Sequence, residues 1–143
     1  MTTTTDHAQF RGAGVESWAA PAGRLMLAAI FVIAGVNKLG AYAGVQGYMD
    51  AFGVPGALLP AVIALEILGG LALAAGYRAR LAAVLLGAFS IVSGVIFHLM
   101  PGLAAEGLAA QNDINHFLKN VALAGGMAMI LAFGPGRLSL DAR

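Results

Sequence analysis

At 143 residues, 59% hydrophobic and only 10% charged, with a mean hydropathy of +0.83, the chain lies far from the roughly 25% charged composition of a soluble domain. A net charge of +1 with no stripe of Lys or Arg leaves nothing to neutralise a phosphate backbone, which excludes nucleic acid as a partner. The absence of cysteine excludes disulfide exchange, thiolate nucleophiles, iron–sulfur clusters and Cys-ligated zinc.

Residues 1–20 read as a flexible polar tail carrying Thr2 to Thr5, Asp6, His7, Arg11 and Glu16. Four apolar stretches follow: Pro21 to Gly40, Leu58 to Tyr77, Arg80 to Met100 and Asn115 to Gly134. Each is long enough to cross a hydrocarbon core ~30 Å thick at ~1.5 Å per helical residue. The predicted fold class is therefore an all-α membrane protein, a four-transmembrane-helix bundle occupying 21–136 as one domain in contact with membrane lipids, with a short tail over 137–143. Leu25 to Val36 followed by Ala41-Tyr42-Ala43 also has the outline of a signal peptide, but Asn37-Lys38 between the apolar core and the candidate cut fits that outline poorly.

Basic residues near the span ends alternate. Arg11, Arg24, Arg78, Arg80, Arg137 and Arg143 fall on one side and only Lys38 and Lys119 on the other. The positive-inside rule then predicts both termini and the tight Gly76 to Arg80 turn in the cytoplasm. The first outer connection, Gly40 to Gly56, places Tyr42, Val45, Met49 and Phe52 at helical spacing before the stop signal Gly53-Val54-Pro55-Gly56. It reads either as an amphipathic helix on the membrane interface or as a plain loop with belt aromatics. The second, Pro101 to Asn112, reads as a solvated loop, with Glu106 and Asp113 as its acids.

Glycine and other small residues four apart, Gly70 and Ala74, Ser90 and Gly94, Ala122 and Gly126, predict close helix–helix packing and a tight bundle rather than a wide pore. Spans two and four also share a faint pattern, a charged residue followed by Gly-Gly, at Glu66 and Gly69-Gly70 and again at Lys119 and Gly125-Gly126. Such a pattern fits a parallel repeat of helix pairs.

The polar residues inside the spans carry the functional reading. Glu66 lies about 12 Å below the outer end of span two, where a carboxylate is costly unless paired. Span four is long enough only if it takes in Asn115, His116, Lys119 and Asn120, which places Lys119 about 8 Å inside. Asn37 and Lys38, Glu66, Ser93 and His98, and His116 with Lys119 and Asn120 thus arrive from all four helices in the same outer half of the bilayer. Singly, Lys38 reads as a snorkelling lysine, His98 and His116 as interfacial caps, and Glu66 as half of an ion pair with Lys38 or Lys119. Their convergence favours a site with Glu66 and His98 as catalytic proton-handling groups and Asn37, Lys38, His116, Lys119 and Asn120 as ligand-binding groups. No tight ligand spacing such as His-x-x-x-His is present, and no metal site is expected.

Gly35-Val36-Asn37-Lys38, Glu66 before Gly69-Gly70, Gly76-Tyr77-Arg78, Phe97-His98, Phe117-Leu118-Lys119-Asn120 before Gly125-Gly126, and Ser139-Leu140-Asp141 together resemble the DoxX family of small bacterial membrane proteins. The resemblance runs from about Arg24 to Asp141 and implies a four-helix bundle in the cytoplasmic (inner) membrane. The family is similar to the DoxD subunit of thiosulfate:quinone oxidoreductase and is associated with redox and oxidative-stress systems. Lys38, Glu66, His98, Lys119 and Asn120 fall at its motif positions.

The leading expectation is the membrane subunit of a redox or oxidative-stress system that binds a quinone or similar lipophilic molecule in the outer half of the bundle. Without signals for flavin, haem or iron–sulfur binding the chain has no intrinsic cofactor and needs a redox partner protein. As an enzyme it is at most one subunit of a quinone-linked oxidoreductase. The competing readings are a small-solute transporter component, for which such short helices call for a homo-oligomer, and a non-catalytic assembly or stabilising subunit.

Overall fold

The computed structural model describes residues 15–142, with side chains placed from 18 to 141. Residues 1–14 of the expected tail, Arg11 among them, and Arg143 lie outside the described residues. The described chain forms six helices: α1 Val15–Gly40, α2 Tyr42–Ala51, α3 Leu59–Ala75, α4 Ala79–Gly94, α5 Met100–Ala104 and α6 Gly107–Phe133. Among the described residues there is no strand. Residues 15–20, read from the sequence as tail, form the first turns of α1. Four helical rods are long and apolar enough to cross a membrane: Trp18–Gly40, Gly56–Ala75, Ala79–Ala104 and Gly107–Phe133. Four crossings put the start of α1 and the end of α6 at the same end of the bundle, called here the terminal end. The opposite end, carrying α2 and the α5–α6 turn, is the loop end.

The third and fourth rods depart from the expected boundaries. The helix that was to stop at Met100 runs through Pro101 to Ala104, and the next begins at Gly107, so the stretch expected as a solvated loop is broken only at Ala105 and Glu106, both in extended conformation. Pro101 has no N–H to give the carbonyl four residues back, and its ring crowds that carbonyl. A single π-helical turn, Val95–Leu99, widens the rod immediately upstream, with the Met100 N–H bonded five residues back to Val95. The wider turn absorbs the mismatch, and a proline in the first turn of α5 leaves no needed donor missing.

α2 is a helix and not a plain loop. Its buried residue Met49 packs with Leu59 and Ile63 of α3, and Tyr42, Val45 and Phe97 close around them. The Asp50 carboxylate accepts the Gly56 N–H at 2.7 Å and the Gln46 amide donates to the Gly56 carbonyl at 3.2 Å, which ties the end of α2 to the entry of α3.

α1 packs along α3 and α4 along α6, with α3 and α4 joining the two pairs. Lipid supplies no hydrophobic drive between helices, so close backbone approach must do the work. Gly70 lies on Ala28 and Val32 of α1, Gly35 on Ile67 of α3, Gly94 on Asn120 of α6, and Gly126 on Leu27 of α1. A second core cluster, at the terminal end, joins Ala28, Phe31, Leu73, Ala82, Leu86, Met127 and Ile130. Large apolar side chains such as Met26, Leu68 and Phe133 are more than half exposed, as expected of a surface that faces lipid.

The terminal end is clasped by a side chain the sequence suggested only as a charge marker. Arg24 is 3% exposed, and its guanidinium donates to the carbonyls of Pro135 and Leu138, folding the segment after α6 against the α3–α4 turn. There the Asp141 carboxylate accepts the backbone N–H groups of Arg78 and Ala79 at 2.7 and 2.8 Å, capping α4 from a distant part of the chain. Gly76, at φ +66, makes the turn possible: a Cβ there would lie 2.3 Å from the Ser139 Cβ.

Candidate functional site

Between the two core clusters, in the loop-end half, the bundle leaves a cavity of about 420 Å³. Apolar side chains, Phe31, Val62, Phe89, Ile96, Phe97 and Leu123 among them, make most of its wall, and Tyr48, Lys38, Glu66, Ser90, Ser93, His98, Lys119 and Asn120 interrupt it.

The ion pair in its wall follows from the α1–α3 crossing. A Cβ at position 35 would sit 2.6 Å from the Ile67 side chain, so glycine there lets α1 approach α3 closely. Lys38, one turn beyond Gly35, then reaches Glu66, the neighbour of Ile67. The ammonium nitrogen lies 2.8 Å from both carboxylate oxygens. The Glu66 side chain is 4% exposed and that of Lys38 25% exposed. The carboxylate is thus lifted out of solvent, with its charge balanced by a cation that retains partial access to the outside.

On the other pair of helices, the hydroxyls of Ser90 and Ser93 donate to the carbonyls of Leu86 and Phe89 one turn back, at 2.9 and 2.7 Å, leaving oxygen lone pairs to face the cavity. His98 belongs to the π-turn, a local widening often found at functional positions. Its ring stacks on that of His116 with centroids 5.0 Å apart, and its Nδ1 lies 3.6 Å from Asp113. That is too long for a hydrogen bond but close enough for attraction once the ring is protonated. Among the described residues this buried nitrogen has no hydrogen-bond partner. Lys119 stands 3.2 Å from the His116 Nδ1, and the Asn120 amide donates to the His116 carbonyl at 3.2 Å.

α2 covers the cavity from the loop end. Tyr48 stacks on Phe97 at 5.5 Å, and Phe52 meets both rings. Burial, and then the negative charge of Asp113, push the Tyr48 phenol above its ordinary pKa, so it remains a protonated donor near neutral pH.

Five of the seven residues expected at the site therefore line one cavity: Lys38, Glu66, His98, Lys119 and Asn120. His116 does not line it and joins through its stacked ring and Lys119. Asn37 lies on the exposed side of α1, away from the cavity. Glu66 takes Lys38 as its partner, not Lys119. α6 begins at Gly107 rather than at Asn115, so Lys119 stands about 18 Å along its helix. Among the described residues no three His, Asp or Glu side chains converge as metal ligands.

Sequence reasoning missed Asp113, Tyr48 and Ser90. Asp113 was expected in a solvated loop. Once α6 is extended back to Gly107, Asp113, His116 and Asn120 fall at i, i+3 and i+7 on one helical face, a signal present in the sequence but hidden by the boundary.

A DoxX family model matches residues 19–99, from the first turns of α1 through His98 in the π-turn. The chain is 39% identical over 118 residues to the inner membrane protein YqjF of Escherichia coli K12, covering 82% of this chain and 85% of that one. It is 33% identical over 122 residues to the inner membrane protein YphA of the same organism, covering 84% and 86%. No solved structure matches. The four membrane-length rods and these two relatives make the chain a multi-pass protein of the inner membrane. With more than half its length matched by the family model and two relatives aligned along most of theirs, this chain belongs to the DoxX family.

Proposed function

We propose that this protein is the membrane subunit of a redox or oxidative-stress system and binds a quinone, or a lipophilic carbonyl compound like it, in the loop-end cavity. The observation that carries this reading is the lining itself: one largely apolar chamber whose wall includes Lys38, His98, Lys119, Asn120 and Tyr48 beside a single buried carboxylate. The volume, about 420 Å³, is within the range of small-ligand pockets, roughly 300–1,000 Å³. Ammonium, imidazole and phenol donors polarise carbonyl oxygens more strongly where water is scarce. A quinone reduced there takes two electrons from a partner protein and two protons, for which Glu66 and His98 are the groups able to transfer them. This chain has no cysteine to hold an iron–sulfur cluster, so the electrons come from that partner.

Thermal melting of the purified protein with a soluble quinone analogue tests this. A ligand at a hundredfold excess over its Kd stabilises the folded state by about 2.7 kcal/mol, a rise of several degrees in Tm. Lys119→Met keeps the stem and deletes the charged donor, and the expected shift is markedly smaller. No shift in the wild type at saturation, or an equal shift in Lys119→Met, removes the quinone reading. Solute uptake into protein-loaded liposomes would then favour a transporter component.

A further inference from the structure

We propose that the terminal end of the bundle holds a second site, which binds the phosphate of an anionic phospholipid through Arg78, Arg80 and Arg137. It is separate from the loop-end cavity and does not depend on what that cavity binds.

An open cleft of about 550 Å³ lies between the start of α4, the end of α6 and the segment that follows it, and all three arginines line it. Arg24, at the same end, is occupied by backbone carbonyls. The three cleft arginines differ: among the described residues none of their guanidinium groups has a hydrogen-bond acceptor or a carboxylate at ion-pair distance, and Arg78 only rests over the Tyr77 ring at 5.9 Å. Among the described residues the one carboxylate lining the cleft, Asp141, accepts two backbone N–H groups. Three permanent positive charges thus share this space with a single described carboxylate, and among the described residues none of them lies at ion-pair distance from it.

The walls are held in place. The Arg24 clasp and the bond from the Asp141 N–H to the Gly76 carbonyl, 2.9 Å, fix the C-terminal segment against the turn. Gly134 leaves room for Arg80: a Cβ there would come within 3.4 Å of its Nη2. Guanidinium forks match phosphate oxygens two at a time.

The apolar flank selects lipid as the source of the phosphate. Leu81 and Phe133 line the same cleft and are 51% and 77% exposed on the surface that faces the bilayer, so acyl chains can lie against them while the headgroup meets the arginines. Basic pockets between membrane helices bind anionic headgroups in this way.

The test uses the full chain in a neutral detergent, with phosphatidylglycerol, phosphatidylcholine or inorganic phosphate added and binding read by native mass spectrometry alongside Tm. Wild-type protein is expected to retain phosphatidylglycerol and to melt higher with it than with phosphatidylcholine. Arg80→Gln and Arg137→Gln are each expected to weaken retention about fivefold, and the pair more, at an unchanged Tm in phosphatidylcholine. Arg137 is exposed and among the described residues makes no hydrogen bond or ion pair, so its variant reports on binding even if Arg80→Gln folds poorly. Equal retention of the two lipids, undiminished retention by Arg137→Gln, or an equal stabilisation by millimolar inorganic phosphate alone would overturn the proposal.

Discussion

Lys38 of α1 and Glu66 of α3 form a two-pronged ion pair, with the ammonium nitrogen 2.8 Å from each carboxylate oxygen, in the wall of the loop-end cavity. The two partners are not equally trapped. Glu66 is enclosed by the bundle, whereas Lys38 has a long apolar stem and a route toward the membrane surface.

That asymmetry predicts unequal single-variant costs. Lys38→Met strands a buried carboxylate and is expected to destabilise the bundle by about 3–5 kcal/mol, whereas Glu66→Gln leaves a lysine able to swing outward and is expected to do less harm. The double variant should regain part of the sum, and pairing Glu66→Gln with Lys119→Gln should give additive losses. Melting of the wild type with these single and double variants in one detergent decides it. Strict additivity for Lys38 and Glu66 would show that the pair is not coupled.

Two glycines separate packing from propensity. A methyl group at Gly35 would meet Ile67 at 2.6 Å and Glu66 at 3.2 Å, while one at Gly125 meets nothing within 4 Å. Gly35→Ala is expected to push α1 from α3 and lose about 1–3 kcal/mol. Gly125→Ala is expected to be neutral or to gain up to about 1 kcal/mol from helix propensity. Equal melting temperatures for the two variants would mean that the α1–α3 contact does not depend on close approach.

Orientation is checked by labelling single cysteines in a chain that has none. Gly47 and Ala109 are exposed at the loop end, and Tyr77 is exposed at the terminal end; Ala79, although nearer the helix start, is fully buried and would not label. We propose, from the arginine asymmetry, that the terminal end faces the cytoplasm. An impermeant thiol reagent applied to intact spheroplasts should then modify cysteines at 47 and 109 and spare that at 77. The reverse pattern would place the termini outside.

The four spans, the membrane setting and the polar residues that do not belong in lipid were legible in the sequence because hydropathy and length are summed over one segment at a time and need no neighbour. Which cation answers Glu66 was not, because it depends on how far each helix turns and how closely two of them cross. Gly35 against Ile67 settles that for Lys38. Nor does hydropathy register a π-turn, and it was the π-turn before Pro101 that carried the third rod to Ala104 and, with α6 starting at Gly107, brought Asp113 opposite His98. The role of Arg24 was likewise a tertiary matter: a charge near a span end looks like a topology marker until carbonyls from the far end of the chain are folded onto it. Local chemistry determined what kinds of groups this protein places inside the membrane, and only the packing of one helix on another determined which of them meet.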